Sequence, residues 1–223
     1  MVLIRAETMP SAAPAARNGA KARMWRLLLK EAGELLGEGR MPSVAEVAQR
    51  AGVSRATAYR YFPSRSKLIN AVVEDSLGPV RRLASTIPDG RERIRELFAQ
   101  TFPRFKEYEP QLRAALLLSL EHGAQERAGT LAEEPYRRGH RIKILSHAAA
   151  PLKRELGRKR FDRLVRALSV IYGIEAYVVL RDIWGASDRD IEGIARWIAD
   201  ALVDTALRES AANGHAKKRN GRG

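Results

Sequence analysis

Cysteine is absent from the 223 residues of this chain. That absence excludes disulfide scaffolds, thiolate zinc sites, iron–sulfur clusters and cysteine nucleophiles. Long apolar runs are also missing: no stretch approaches the roughly 18 apolar residues of a membrane span, and the apolar start at residues 1–4 is too short for a signal peptide. We therefore expect a soluble, cytoplasmic protein. Because 45% of the residues are hydrophobic, the chain is able to bury a sizeable core.

Patterns typical of enzymes are missing as well. The chain has no Gly-x-Gly-x-x-Gly run, no phosphate-binding glycine loop and no nucleophile elbow. His140 and His147 are seven residues apart, whereas a helical metal pair needs histidines four apart. We expect no enzymatic activity, no cofactor and no metal site.

Positive charge is in excess, with 40 Lys and Arg against 26 Asp and Glu, a formal net charge of +14. Residues 1–75 hold 12 basic and 7 acidic side chains, a net +5, and residues 206–223 hold 5 and 1, a net +4. Such an excess favours a polyanionic partner, nucleic acid above all, although charge spread over a solvated surface would give the same total. Residues 1–18 are expected to form a flexible arm. Residues 210–223 are expected to form a basic, disordered tail that either touches DNA or only aids solubility.

Apolar residues at steps of three and four predict a first helix from about residue 21 to residue 37. Ser43 and Glu46 then form a capping box, which predicts a short second helix that ends at Gly52. Ser54 is suited to cap a third helix over residues 55–61. Two short helices joined by a tight turn with a glycine are typical of a helix-turn-helix, here over residues 43–62.

The third helix is rich in hydrogen-bond donors rather than in core residues, which favours a DNA-reading role over a hairpin that packs elsewhere. Arg is able to bind guanine through two bonds in the major groove, and Thr meets a base or a thymine methyl. Tyrosine hydroxyls and an ammonium group suit phosphate oxygens. The candidate DNA-binding residues are Ser43, Ser54, Arg55, Thr57, Tyr59, Arg60, Tyr61 and Lys67. Arg17, Lys21 and Arg23 either add contacts to phosphate or the minor groove, or belong to a solvated helix start.

Residues 43–68, read as SVAEVAQRAGVSRATAYRYFPSRSKL, resemble the DNA-binding signature of the TetR family of bacterial transcriptional regulators. The resemblance covers the turn glycine, the Tyr-x-Tyr-Phe ending and the Lys-Leu pair that opens the fourth helix. It departs at Ala56, where glycine is frequent, and at Ala58, where a larger aliphatic residue is usual. The smaller side chain at position 58 affects how the third helix seats and removes no donor.

The resemblance implies an all-α protein with a DNA-binding domain over residues 19–75 and a ligand-binding and dimerisation domain over residues 76–209. It also implies a homodimer through the two C-terminal helices, a palindromic double-stranded operator and an unknown small-molecule effector. The function implied is a ligand-responsive repressor, in which the effector moves the recognition helices out of register with the operator. No membrane partner is expected.

The C-terminal part of the sequence is consistent with this architecture. Helical spacing predicts helices over residues 91–107, 110–122, 134–150 and 161–183, with Glu133 and Glu134 at the start of the third of these. Ser187 and Asp190 are expected to cap a last helix, whose apolar stripe needs a second subunit for burial. Gly78 and Pro79 are expected to end or kink the fourth helix early.

Residues for a ligand pocket are harder to select, because an aromatic side chain at helical spacing equally suits plain core. The candidates are Phe98, Phe102, Phe105, Leu116, Leu120, Tyr136, Tyr172 and Glu175. Glu175 lies within an apolar run, so its carboxylate needs a partner. A cationic ligand, an arginine or the dimer interface each satisfies that need. The alternative function is a basic helical protein that coats nucleic acid without sequence choice.

Overall fold

The computed structural model describes residues 19–81, 85–136 and 140–220, and these residues form an all-α fold, as expected. Over these ranges no helix is both long and apolar enough to span a bilayer. The helices are α1 (Gly19–Gly37), α2 (Val44–Arg50), α3 (Arg55–Tyr61), α4 (Arg65–Arg81), α5 (Gly90–Glu107), α6 (Glu109–Ala128), α7 (His140–Ala149), α8 (Lys153–Ile171), α9 (Ile174–Val178) and α10 (Asp188–Asn220).

The first three helices pack around one apolar centre. α2 contacts both α1 and α3. Gly52 takes the left-handed conformation, with a φ of 66°, and lets the chain reverse between α2 and α3. The N–H of Val53 then donates to the carbonyl of Ala48 at 3.0 Å, which closes the turn. The buried side chains of this unit are Leu28, Leu29, Ala32, Leu35, Leu36, Val44, Val47, Ala48, Ala58 and Phe62.

Helix α4 joins this unit to the rest of the chain, since it packs on α1 as well as on α5 and α6. Its buried residues include Leu68, Ile69, Val72 and Val73. The expectation that Gly78 and Pro79 end the helix early is wrong, because α4 continues to Arg81. Proline at this position removes only one helical hydrogen bond, near the end of the helix, and the buried side chain of Val80 beyond it retains its packing.

Helices α5 and α6 lie where the sequence predicts them, and α6 is about two turns longer than expected. Gly129, with a φ of 69°, ends α6. The expectation of a helix over residues 134–150 that starts at Glu133 and Glu134 is wrong at its start, because α7 begins at His140. Pro135 disfavours a helical conformation at the residue before it, and both glutamates bind partners on other elements.

The predicted single helix over residues 161–183 is also wrong. α8 begins earlier, carries a kink at Gly157 and ends at Ile171, after which α9 and a π-helical turn at Val179–Ile183 follow. The break occurs where Arg141 of α7 reaches in beside Gly173. A Cβ atom on Gly173 would occupy the position of the Arg141 guanidinium and the Glu175 carboxylate. Tertiary contact therefore decides the break, and periodicity alone does not reveal it.

The last helix begins as predicted, since the Ser187 hydroxyl accepts the N–H of Asp190 at 3.2 Å. The expectation of a disordered tail from residue 210 is wrong for residues 210–220, because α10 continues to Asn220. Extending an existing helix needs no new nucleation, and the alanines and lysines of this segment are good helix formers. α10 packs against α8 and α5 through Ile191, Ala195, Ala199, Val203 and Ala206.

Gly90, the first residue of α5, makes a close approach that tests this packing. A Cβ atom there would lie 2.6 Å from Cγ of the buried Leu152. We predict that Gly90→Ala lowers the free energy of unfolding by about 1–3 kcal/mol, because the branched carbon of a packed leucine has little room to move. Gly33→Ala on α1 is the matched control, since nothing lies within 4 Å of its added Cβ. Thermal unfolding of both variants checks this, and equal midpoints would contradict it.

Candidate nucleic-acid interface

Helix α3 turns its small side to the core and its donors outward. Ala58 is fully buried at the centre of its inner face. The next residue after the helix, Phe62, packs against Trp25 of α1 with ring centroids 4.4 Å apart and the rings tilted by 38°. This contact holds the end of α3 against α1. The small side chain of Ala58 lets α3 pack closely on the other two helices of the unit. The outer face is thereby held in a defined orientation.

The outer face of α3 carries Arg55, Tyr59 and Arg60, all exposed. Within the described part of the chain, neither Arg55 nor Arg60 makes a hydrogen bond or an ion pair. Arg50, at the end of α2, is the opposite case, because its guanidinium binds Glu31 and Glu34 of α1 and Glu38 just after that helix. The structure therefore separates one arginine that ties helices together from two that are available for a ligand.

The remaining candidate residues of the motif have local structural contacts. The Ser54 hydroxyl accepts the N–H of Thr57 at 3.1 Å and lies 2.9 Å from the Thr57 hydroxyl, which caps α3. Tyr61 is half-buried and packs against the core. The Ser43 hydroxyl accepts the N–H of Glu46, whose carboxylate accepts the Ser43 N–H at 2.8 Å, so the capping box is present. These backbone and hydroxyl hydrogen bonds from Ser43 lower the pKa of Glu46.

Lys67 lies in the first turn of α4, and its ammonium is 2.7 Å from the carboxylate of Glu134. Arg65, two residues earlier, is 2.7 Å from Glu121 of α6. Both cations therefore contact the C-terminal part of the chain while they border the helix-turn-helix. The sequence predicts a phosphate contact for Lys67. It reveals neither carboxylate partner, because nothing in the local pattern signals a contact between residues 67 and 134.

The aromatic pocket candidates form one closed cluster in the C-terminal part. Phe98, Phe102, Phe105 and Tyr172 are buried, with neighbouring ring centroids 5.2–6.3 Å apart. The Thr101 hydroxyl donates to the carbonyl of Leu97 at 2.7 Å, so it accepts the hydroxyl of Tyr172, which lies 2.8 Å away. The structure thus brings four of the eight candidates together as packed core.

The other pocket candidates lie apart from this cluster. Leu116 is half-buried, and Leu120 is 62% exposed on the outer side of α6. Tyr136 is buried, and its backbone N–H donates to His122 at 3.1 Å. The partner of Glu175 is an arginine: Arg141 donates to its carboxylate at 2.6 Å and to the carbonyl of Ser169 at 2.9 Å. Arg141 was missed from the sequence, which offers no sign that it reaches the helix break.

Large apolar side chains are exposed along α8, the π-helical turn and α10. Val170 is 70% exposed and Trp197 is 71% exposed. Ile183, Trp184 and Ile194, which lie between them in the chain, are also exposed. Of the predicted stripe on the last helix, Ile191 faces the core, whereas Ile194, Ala201 and Thr205 face outward. We call the outward residues of α8 and α10 the α8–α10 face. Trp197 fits the spacing of this face and was overlooked in the sequence.

A capped helix-turn-helix with its donor-rich helix exposed is typical of DNA-binding domains. Residues 28–72 match the family model described as bacterial regulatory proteins of the tetR family. This match covers α2, α3 and about half of α1 and of α4. The helix-turn-helix region of this chain is therefore similar to the DNA-binding region of the tetR family of bacterial regulatory proteins.

Solved structures agree in fold. A TetR transcriptional regulator from Rhodococcus sp. RHA1 is 23% identical, with a TM-score of 0.54 over 83% of this chain and 97% of that chain. A tetR-family transcriptional regulator from Streptomyces coelicolor is 18% identical, with a TM-score of 0.58 over 91% of this chain and 89% of that chain. No curated protein sequence matches this chain significantly. At these identities the two structures support the shared fold.

The cap of α3 gives a direct test of how the recognition helix is held. We predict that Ser54→Ala lowers the free energy of unfolding by about 1 kcal/mol, because the N–H of Thr57 loses its acceptor. Ser54→Asp is the matched control, since an aspartate also accepts at this position. Urea unfolding at one protein concentration measures both variants. A loss in Ser54→Asp as large as that in Ser54→Ala would show that the cap is not the stabilising contact.

Proposed function

We propose that the protein binds a palindromic DNA operator as a homodimer and represses transcription until a small-molecule effector releases it. The observation that carries this proposal is the exposed outer face of α3, where Arg55 and Arg60 have no protein partner among the described residues. An unpaired guanidinium at the start of a recognition helix is placed to bind guanine through two hydrogen bonds in the major groove.

Specific and general DNA contacts fall to different residues in this proposal. Arg55, Thr57 and Arg60 read bases, whereas Ser43, Ser54, Tyr59, Tyr61 and Lys67 position the domain on phosphates. The net charge of +14 raises association rates and non-specific affinity but carries no base choice. If the charge alone mattered, the protein would coat any nucleic acid, which was the alternative drawn from the sequence.

Selection from a random duplex library separates these functions, followed by competition with random DNA. An inverted repeat that survives excess competitor supports the operator. On that operator we predict that Arg55→Ala costs about 1–3 kcal/mol and relaxes the choice of one base pair in each half-site. Lys67→Ala is predicted to weaken operator and random DNA alike and to reduce the log–log salt slope by about one.

Arg158→Ala is the matched control for these two variants, because it removes one positive charge from a side chain 91% exposed at the start of α8. Its binding is expected to follow that of the unaltered protein. If no sequence is enriched, or if random DNA competes equally with every enriched duplex, operator recognition is refuted. If Arg55→Ala and Lys67→Ala weaken both kinds of DNA equally, the two roles are assigned incorrectly.

The dimer rests on the α8–α10 face. A single large aromatic side chain buries about 150–250 Å² when a partner covers it, and Trp197 is 71% exposed on this face. A two-fold axis through the face would pair α8 and α10 of both subunits and set the two α3 helices on one side of the dimer. Half-sites in the operator then follow from protein symmetry.

We predict that Trp197→Glu converts the dimer to a monomer, because it places a charge where apolar contact is needed. Ile142→Glu is the control, since Ile142 is 64% exposed on α7, outside the α8–α10 face. Sedimentation equilibrium measures the mass of each variant, and operator binding is expected to weaken for Trp197→Glu alone. A Trp197→Glu protein that remains dimeric would place the interface elsewhere.

The effector site proposed for the C-terminal part is the aromatic cluster of Phe98, Phe102, Phe105 and Tyr172. Its rings contact one another, so a ligand has to part them to enter. Because packed cores switch between discrete arrangements rather than deform continuously, such entry would shift the helices around α5. α5 contacts α4, so the shift has a direct route to the DNA-binding domain.

A further inference from the structure

The first turn of α4 lies between the DNA-binding motif and the segment that follows α6. Two cations of this turn, Arg65 and Lys67, each bind a carboxylate from that side, Glu121 and Glu134, at 2.7 Å. The side chains of Lys67 and Glu134 are 44% and 63% exposed. Their contact is therefore open to solvent and to any large anion that approaches the motif.

Glu134 is held in place by the residues on either side of it in the chain. The carboxylate of Glu133 lies 3.3 Å from Nε2 of His122, and the N–H of Tyr136 donates to Nδ1 of the same ring at 3.1 Å. His122 is 2% exposed. A neutral imidazole with its proton on Nε2 satisfies both contacts, because Nδ1 then accepts and Nε2 donates. Residues 133–136 are thus attached to α6 through one buried histidine.

Glu134 is an anion in this contact, since the hydrogen bond from Lys67 lowers its pKa. A DNA phosphate bound to Lys67 would bring a second negative charge to the same ammonium. The two anions repel at this distance, and Glu134 has to leave or the phosphate binds less tightly. Exposed ion pairs of this kind are weak, so DNA is able to displace the carboxylate at a small cost.

We propose that Glu134 is an intramolecular competitor of the operator for Lys67, and that residues 129–136 restrain DNA affinity when Glu134 is in place. This inference rests on the proposed phosphate contact of Lys67 and adds a residue of the C-terminal part to the control of that contact. Because His122 joins the segment to α6, a rearrangement of α6 that draws Glu134 away frees Lys67 and strengthens DNA binding. A rearrangement that presses Glu134 onto Lys67 does the reverse.

A double-mutant cycle on the full-length protein tests the inference. The variants are Glu134→Gln, Lys67→Ala and the two combined, each titrated with the selected operator at one salt concentration. We expect Glu134→Gln to tighten operator binding roughly two- to fivefold, the range that an exposed ion pair supports. In the Lys67→Ala background the same substitution is expected to change binding little, because the contested cation is gone.

Glu155→Gln is the matched control, because it removes one negative charge from an exposed position of α8, for which no ion pair is found among the described residues. It is expected to leave affinity unchanged. Thermal unfolding by circular dichroism confirms that each variant is folded. Glu134→Asn provides a second removal of the charge if the glutamine variant is unstable.

The outcomes separate the inference from the proposed function. If Lys67→Ala weakens binding and Glu134→Gln has no effect, the competitor is overturned and the operator proposal remains. If Glu134→Gln tightens binding equally in both backgrounds, its effect is general charge repulsion, and the inference is again overturned. If the unaltered protein shows no preference for any duplex, the proposed function fails, and the inference fails with it.

Discussion

The packing of α4 against both halves of the molecule is the constraint on which the rest depends. Leu68, Ile69, Val72 and Val73 are buried along it, and each contributes about 1.5–3 kcal/mol when removed from water. Helix α4 therefore packs on α1 of the α1–α3 unit and on α5 and α6 at the same time. Because α4 contacts α1 as well as α5 and α6, a change in how α5 or α6 packs would reach the α1–α3 unit through α4.

Charge in this protein is organised locally rather than spread as a uniform field. Arg50 forms ion pairs with three glutamates in and just after α1, and Arg113 forms a bidentate pair with Asp182. Such pairs join elements that are far apart in the chain and contribute nothing to DNA attraction. The total of +14 therefore overstates the charge available to a nucleic acid. Among the described residues, Arg55 and Arg60 of α3 make no hydrogen bond or ion pair, and the proposed DNA recognition uses these two guanidinium groups.

The carboxylate of Glu175 lies in an apolar run of the C-terminal part, and the helix breaks where this carboxylate meets its partner. Arg141 reaches the end of α8, where it satisfies the Ser169 carbonyl and the Glu175 carboxylate together. The absence of a side chain at Gly173 makes room for this contact. The aromatic cluster around Tyr172 lies directly before the break, so the proposed effector site and the break share one residue. Opening the cluster would act on the junction of α8 and α9.

Much of this protein was determined by the sequence alone, because short-range rules decide it. The capping box of α2, the serine cap of α3, the turn at Gly52 and the exposed face of α3 depend on residues within a few positions of one another. The bounds of α5 follow in the same way from a strong apolar period. These features are sufficient to predict the helix-turn-helix and its family resemblance from the sequence.

Only the tertiary structure decided the features that depend on distant partners. It set the start of α7 at His140 and the break after Ile171, both against the sequence-based expectation. It also paired Lys67 with Glu134 and Glu175 with Arg141. Local propensity is a weak preference that packing and buried charge override, and the partner of a charge is chosen by proximity in space rather than along the chain.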